Sequence, residues 1–160
     1  MGRIYSAIFN AVAVTAQQDF FEIAGPADAV TVVHAIELEQ STEVGDAQEE
    51  GLSILMKRGV GTVTSGSGGT TPTPQPREDG DPNYGGTTEV NNTTKMVVGS
   101  GSIDTLAAWV WNVRLPFLKL FTPEMRPVIS PSNRLTIELA TTPADSITIN
   151  GTIWFEEVGG

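Results

Sequence analysis

Residues 61–88 read GTVTSGSGGTTPTPQPREDGDPNYGGTT, and their only sizeable apolar side chains are Val63 and Tyr84. A segment with so little to bury cannot offset its own ordering entropy by building a core. It therefore reads as a long surface loop, or as an arm that orders against a partner, between two regions of strand-like alternation. The PTPQP stretch favours extended polyproline conformation and the GSGG stretch supplies a hinge, so the segment has reach at low ordering cost. As an arm it would make contact through Thr71, Pro72, Pro74, Pro76, Arg77 and Tyr84. The bland alternative is a tolerated surface insertion. Either way, the fold must come from the flanking residues.

Those flanks alternate. In Arg3 to Val14, Tyr5, Ala7, Phe9, Ala11 and Ala13 fall on one face and Ile4, Ile8, Val12 and Val14 mostly on the other, the pattern of a strand covered on both sides. Asp19 to Ala24 is a short strand ended by Gly25-Pro26, and Ala29 to Gln40 sets Val30, Val32, His34, Ile36 and Leu38 against polar or small residues. Glu39 to Glu50 is acidic, a connection with room for one helical turn, and Leu52 to Val60 resumes the alternation. Beyond the arm, Thr88 to Val98 is a polar strand. Thr105 to Arg114 carries Trp109, Trp111 and Val113 on one face and Leu106, Ala108 and Val110 on the other, as expected of a central strand or a subunit contact.

Leu115 to Phe121 adds more apolar surface than one small sandwich needs. Trp109, Trp111, Val113, Phe117, Leu118 and Phe121 are accordingly the residues expected between subunits. Prolines at 116, 123, 127, 131 and 143 then divide the C-terminal half, before Arg134 to Ala140 and Asp145 to Val158 close with clean alternation. About eight to ten short strands without a helix predict an all-β, antiparallel sandwich of jelly-roll topology, a single domain over residues 1–160.

Composition narrows the function classes. A chain of 160 residues buries a sizeable core without staples, and with no cysteine it has neither disulfides nor thiolate chemistry. A formal charge of −10, with nine Lys and Arg that never cluster in sequence, argues against nucleic acid as a partner. Ser6 and Asn10 interrupt the apolar N-terminal stretch, and no apolar run approaches about twenty residues, so a first strand is expected there rather than an export or membrane segment.

Candidate chemistry is sparse. His34, the one histidine, lies mid-strand, where a packed or interface role is expected over that of a general base. Glu43, Asp46, Glu49 and Glu50, or Glu78 to Asp81, offer oxygen ligands of the kind Ca²⁺ takes, but they read as solvated acidic turns without the remaining loop positions. Glu156 and Glu157 are adjacent on a strand and point to opposite faces, so they do not form a glycosidase pair, and Glu37 with Glu39 reads as surface charge. Asn91, Asn92 and Asn150 head chance matches to the glycosylation pattern. Exposed tryptophan at 109, 111 or 154 would suit stacking on sugar rings, although strand spacing favours packing. No catalytic residue, cofactor or metal is expected.

Five phrases taken in order, GRIYSAIFNAVAVTAQQDFFEI, PADAVTVVHAIELEQSTEVGDAQEE, TSGSGGTTPTPQP, TPEMRPVISPSNRLTIEL and PADSITINGTIWFEEV, span nearly the whole chain. Together they resemble a group of small tailed-phage proteins of the capsid decoration, or cement, type. The resemblance implies a β-sandwich subunit, a homotrimer as its working form, and the major capsid protein of an icosahedral head as its partner. It also implies a location on the outer surface of the virion after synthesis in the bacterial cytoplasm. The alternative expectation is a receptor- or glycan-binding module of a tail fibre or spike.

Overall fold

The computed structural model describes residues 2–42 and 49–159. Among them are thirteen strands: β1 (Arg3–Val14), β2 (Gln18–Ala24), β3 (Val30–Gln40), β4 (Gly51–Val60), β5 (Val63–Thr64), β6 (Gln75–Pro76), β7 (Thr87–Asn92), β8 (Val97–Val98), β9 (Ser102–Asn112), β10 (Phe117–Leu120), β11 (Val128–Ile129), β12 (Arg134–Leu139) and β13 (Ile147–Val158). The one helical element is a single 3₁₀ turn, Pro123–Met125. The helical turn expected between Glu39 and Glu50 falls largely outside the described residues.

Two antiparallel sheets face each other. One runs β10-β3-β13-β1-β6 and the other β7-β2-β12-β4-β9. Without β6 and β7 these are two four-stranded sheets, and the chain passes between them in jelly-roll order, as the alternation predicted. The core between them is lined by Tyr5, Phe9, Phe20, Phe21, Trp111 and Phe155 with Ile, Leu and Val from most of the long strands. At the single β13 position facing Phe9 there is no room for a side chain: a Cβ on Gly151 would lie 2.4 Å from the Phe9 ring.

Among the described residues the ladders hold four bulges, and those in β1, β2 and β3 decide which of their residues point inward, the fourth lying in β9 at Leu106. In β1 the ladder with β13 slips between Phe9 and Val12, with Ala11 at a φ of 53°, so Tyr5, Ala7 and Phe9 and then Val12 and Val14 face the core. Ile4 and Ile8 are left on the outside, and β1 is covered on one face, not both as the sequence suggested. In β2 the slip against β12 turns Phe20 and Phe21 both inward and carries Asp19 to the outer face with Glu22. In β3 a slip opposite Trp154 and Phe155 leaves His34 outward and Ile36 and Leu38 inward, so the single apolar face expected for this strand switches sides halfway.

The greatest departure from expectation is the 61–88 segment. It is no free arm: it is sewn onto its own sandwich. β6 pairs with β1, where the Arg77 amide donates to the Ile4 carbonyl at 2.7 Å. β7 extends the other sheet beside β2, and the β5–β8 ribbon with the Ser67–Thr94 bridge folds over that sheet's outer face. Tyr84 enters the core, 4.9 Å centroid to centroid from Phe155 and 5.6 Å from Tyr5, with its hydroxyl bonded to Thr31 and Ala24. Gly66 is buried where a Cβ would lie 2.6 Å from the Thr94 carbonyl. Several backbone hydrogen bonds and one well-placed aromatic thus supply what composition alone does not.

Candidate interaction surfaces

The insertion seals one side of the sandwich and leaves the opposite side open. There β9 and β10 are the edge strands of the two sheets, so the Thr105–Arg114 segment is an edge and not the central strand that was one of its two expected places. Val110, 77% exposed, and Leu106 lie on its outer face. Leu115, Leu118, Leu120 (72% exposed) and Met125 continue the apolar surface across β10 and the 3₁₀ turn. Between the two edges runs a groove of about 410 Å³ floored by Met56, Ala107, Trp109 and Phe121. Lys119 is the one charged residue lining it, its Nζ 5.6 Å from the Trp109 ring centroid and 5.3 Å from that of Phe117. Edge strands are ordinarily protected by lysine, proline or a bulge that turns the edge away. β9 has neither lysine nor proline, and its bulge at Leu106 leaves the Ala107–Asn112 stretch in regular register with β4.

Of the residues expected between subunits, only some reach this surface. Leu118 is exposed, and Trp109 and Phe121 are half-buried in the groove wall. Trp111, Val113 and Phe117 are corrections: they are buried within the one chain, Trp111 at 2% exposure with its indole donating to the Leu115 carbonyl at 2.7 Å. An edge strand beside a short neighbouring strand has one face inside the sandwich, and these residues occupy it. Leu106, Val110, Leu115, Leu120 and Met125 take their place on the surface. Sequence reasoning had noted Leu106, Val110 and Leu120 as apolar, and what it lacked was knowledge of which face the sheet leaves uncovered.

The arm residues divide in the same way. Thr71 and Arg77 are exposed, Pro72 and Pro76 half-buried, and Pro74 and Tyr84 buried. Buried Pro74 and Tyr84 offer no surface to a shell protein, which corrects their placement among arm contacts.

On the outer face of the β10-β3-β13 sheet, a second depression of about 520 Å³ is lined by His34, Glu37, Leu118, Leu120, Phe121, Arg126 and Trp154. His34 Nε2 lies 2.9 Å from Glu156 Oε2, and the other oxygen of Glu156 accepts from the Gly2 amide. Glu157 points the other way, where it is buried and receives Arg3 and the Gly85 amide, so the two adjacent acids occupy opposite faces as expected. Arg126 makes no ion pair among the described residues, and its Nε is buried without a hydrogen-bond partner.

Beneath the β5–β8 ribbon is a buried polar network. Glu22 receives Ser65, the Gly66 amide and Arg134, and Glu138 receives Lys57 and Lys95. Asp19 Oδ2 accepts from the Met96 amide at 2.7 Å, while its Oδ1 and the neighbouring strand's Thr136 hydroxyl have no partner. Burial pushes the Asp19 carboxyl up to about 7; the Met96 amide opposes this and the charges of Glu138 and Glu22 add to it. Asn91 and Asn92 belong here too: Asn91 accepts from Gln18 and Asn92 donates to Glu89, both buried, while Asn150 accepts from the Ala11 amide. Among the described residues no three acidic or histidine side chains converge as metal ligands, and Glu43 and Asp46 lie outside those residues. Glu78 and Asp81 close a backbone turn at the tip of the insertion.

Comparison with protein-family models, with characterised proteins and with solved structures finds no match to this chain.

Proposed function

We propose that this chain is a non-enzymatic structural protein that self-associates, and that as a homotrimer it decorates the outside of an icosahedral phage head and reinforces the shell. The observation that carries the self-association is the asymmetry of the sandwich. One side is closed by the 61–101 insertion, while the other presents two sheet edges, a groove lined by Leu106, Leu120 and Met125, and exposed Val110, Leu115 and Leu118. Large exposed apolar patches mark interfaces, and a jelly-roll subunit with one such side is suited to closed assembly. The head as partner rests on the ordered resemblance of the five sequence phrases. Avidity from three copies would let modest contacts, made by the outer rim of the insertion around the β5–β8 ribbon, hold a lattice junction.

Co-sedimentation with expanded heads stripped of accessory proteins, and with unexpanded proheads as control, tests this reading. Saturable binding to expanded heads alone, at a stoichiometry set by three-fold sites, is expected. Binding to neither form removes the shell from the proposal. A second reading, a glycan- or receptor-binding module of a tail fibre or spike, is favoured by one observation: Trp154 sits half-buried in a depression with His34, Glu37 and Arg126. Aromatic rings beside polar side chains suit sugar stacking, and a glycan array with wild type and Trp154→Ala distinguishes the two.

A further inference from the structure

A three-fold ring needs two different contact surfaces on each subunit. In a two-fold dimer a surface meets itself, whereas in a cyclic trimer each contact joins two different surfaces, so the β10 edge needs a complement other than itself on the same chain. Two features of that side specify what the complement must carry. It must be partly apolar, to cover Leu118, Leu120 and Phe121. It must also bring a carboxylate, because Arg126 lines the depression without an ion pair among the described residues, and Lys119 lies against aromatic faces. A half-buried guanidinium with no counter-ion gains charge-assisted hydrogen bonds from an incoming carboxylate. Glu37 lines the same depression and lies beyond ion-pair distance of Arg126, so it does not fill that role.

Outside the β9–β10 side, two exposed apolar sites lie on strands away from the chain's end. Val97 and Val98 on β8 are neighboured by Lys95, a charge of the wrong sign. Ile4 and Ile8 are on β1, at the far edge of the sheet that β10 begins. Next to Ile4, where β6 ends and the Arg77 amide meets the Ile4 carbonyl, the chain turns through Glu78, Asp79 and Asp81. Three carboxylates against one guanidinium, beside exposed isoleucine, are the chemistry the other edge lacks.

We infer that the β10 edge of one subunit docks against the β1–β6 edge of a second copy, with the Glu78–Asp81 turn of the neighbour supplying the carboxylate to Arg126 and Lys119. This deepens, and rests on, the proposed self-association: it names the partner surface. The insertion then has a second task in the ring, because the turn that closes its own sandwich also presents the acid to the next subunit.

The test is a charge swap read by sedimentation equilibrium of the full chain. Arg126→Glu alone, and Glu78→Lys with Asp79→Lys alone, each weaken association at least tenfold. The three changes combined in one chain recover most of that loss, since every contact in a head-to-tail ring is then re-paired. Circular dichroism melting checks that these exposed or half-exposed changes leave the fold in place. Single reversals without effect on a wild-type trimer overturn this docking and leave the self-association standing, as does a combined variant no tighter than the weaker single one. A wild-type chain that stays monomeric at high micromolar concentration overturns both.

Discussion

Asp19 is the residue at which the fold carries a cost that pH exposes. Its carboxyl titrates near 7 in the folded chain against 3.8 ordinarily, so between those values the native state holds a proton the unfolded chain has released. Its contribution to stability is therefore greatest near pH 4 and below, falls as pH rises through about 7, and is constant above. Asp19→Asn keeps an acceptor for the Met96 amide and removes the buried charge. We expect it to raise stability at pH 8 by about 1 kcal/mol or more, with the gain fading toward pH 4. Urea midpoints at both pH values check this, and an equal loss at both would show that the charge is not the source of the strain. Trp111→Ala, by contrast, empties the core and should cost about 3 to 5 kcal/mol of subunit stability at any pH, read from the same unfolding curves. The tryptophan was legible in sequence as important, but its partners were not. Period-2 alternation names two faces and is silent on which one the second sheet covers.

At the scale of elements, the strands were the most readable part of the chain. Arg3–Val14 forms as expected to the residue, and β3, β4, β12 and β13 differ from expectation by a residue or two. Alternation of large apolar residues is what specifies them, so the reading held wherever the alternation held. It missed the bulges in β1, β2, β3 and β9, because one extra residue inverts every later side chain without leaving a compositional mark. It missed the insertion for another reason. β6 and the Ser67–Thr94 bridge are held by backbone groups, which every sequence has, and the one usable sign was a lone Tyr84 among Gly, Pro and Asp. Deleting residues 65–86, which an arm would tolerate, removes Tyr84 and the lid over Glu22. We expect that variant to lose the cooperative thermal transition of the full chain, whereas a melt like that of wild type would return the segment to the status of an arm. Val110→Lys on the bare β9 edge is expected to do the reverse, leaving the melting temperature within a few degrees of wild type and weakening self-association in sedimentation velocity.

For the molecule as a whole, the insertion touches both sheets and its tyrosine lies between them, so no part of the described chain is a separable unit. Unfolding followed by tryptophan fluorescence and by far-ultraviolet circular dichroism should give coincident transitions, and an early step in one probe would mark the insertion as a unit that melts by itself. The asymmetry that supports the proposed assembly also exists only at this scale. Neither β9 nor the insertion marks a binding side alone; the contrast between a laced side and a bare one does.

The pairing of β1 with β13 has a consequence in time. Arg3 sits opposite Glu157 and Ile4 opposite Glu156, so β1 finds its neighbour in a strand synthesised 154 residues later. Until β13 has left the ribosome, β1 has no partner on its β13 side and its sheet has no middle. The nascent chain must wait with its aromatic residues uncovered, and the slow, non-local closure that follows sets how fast usable subunits appear. A chain that stops short of β13 therefore has no closed core, and we expect it to be a substrate for proteases before it can be a building block.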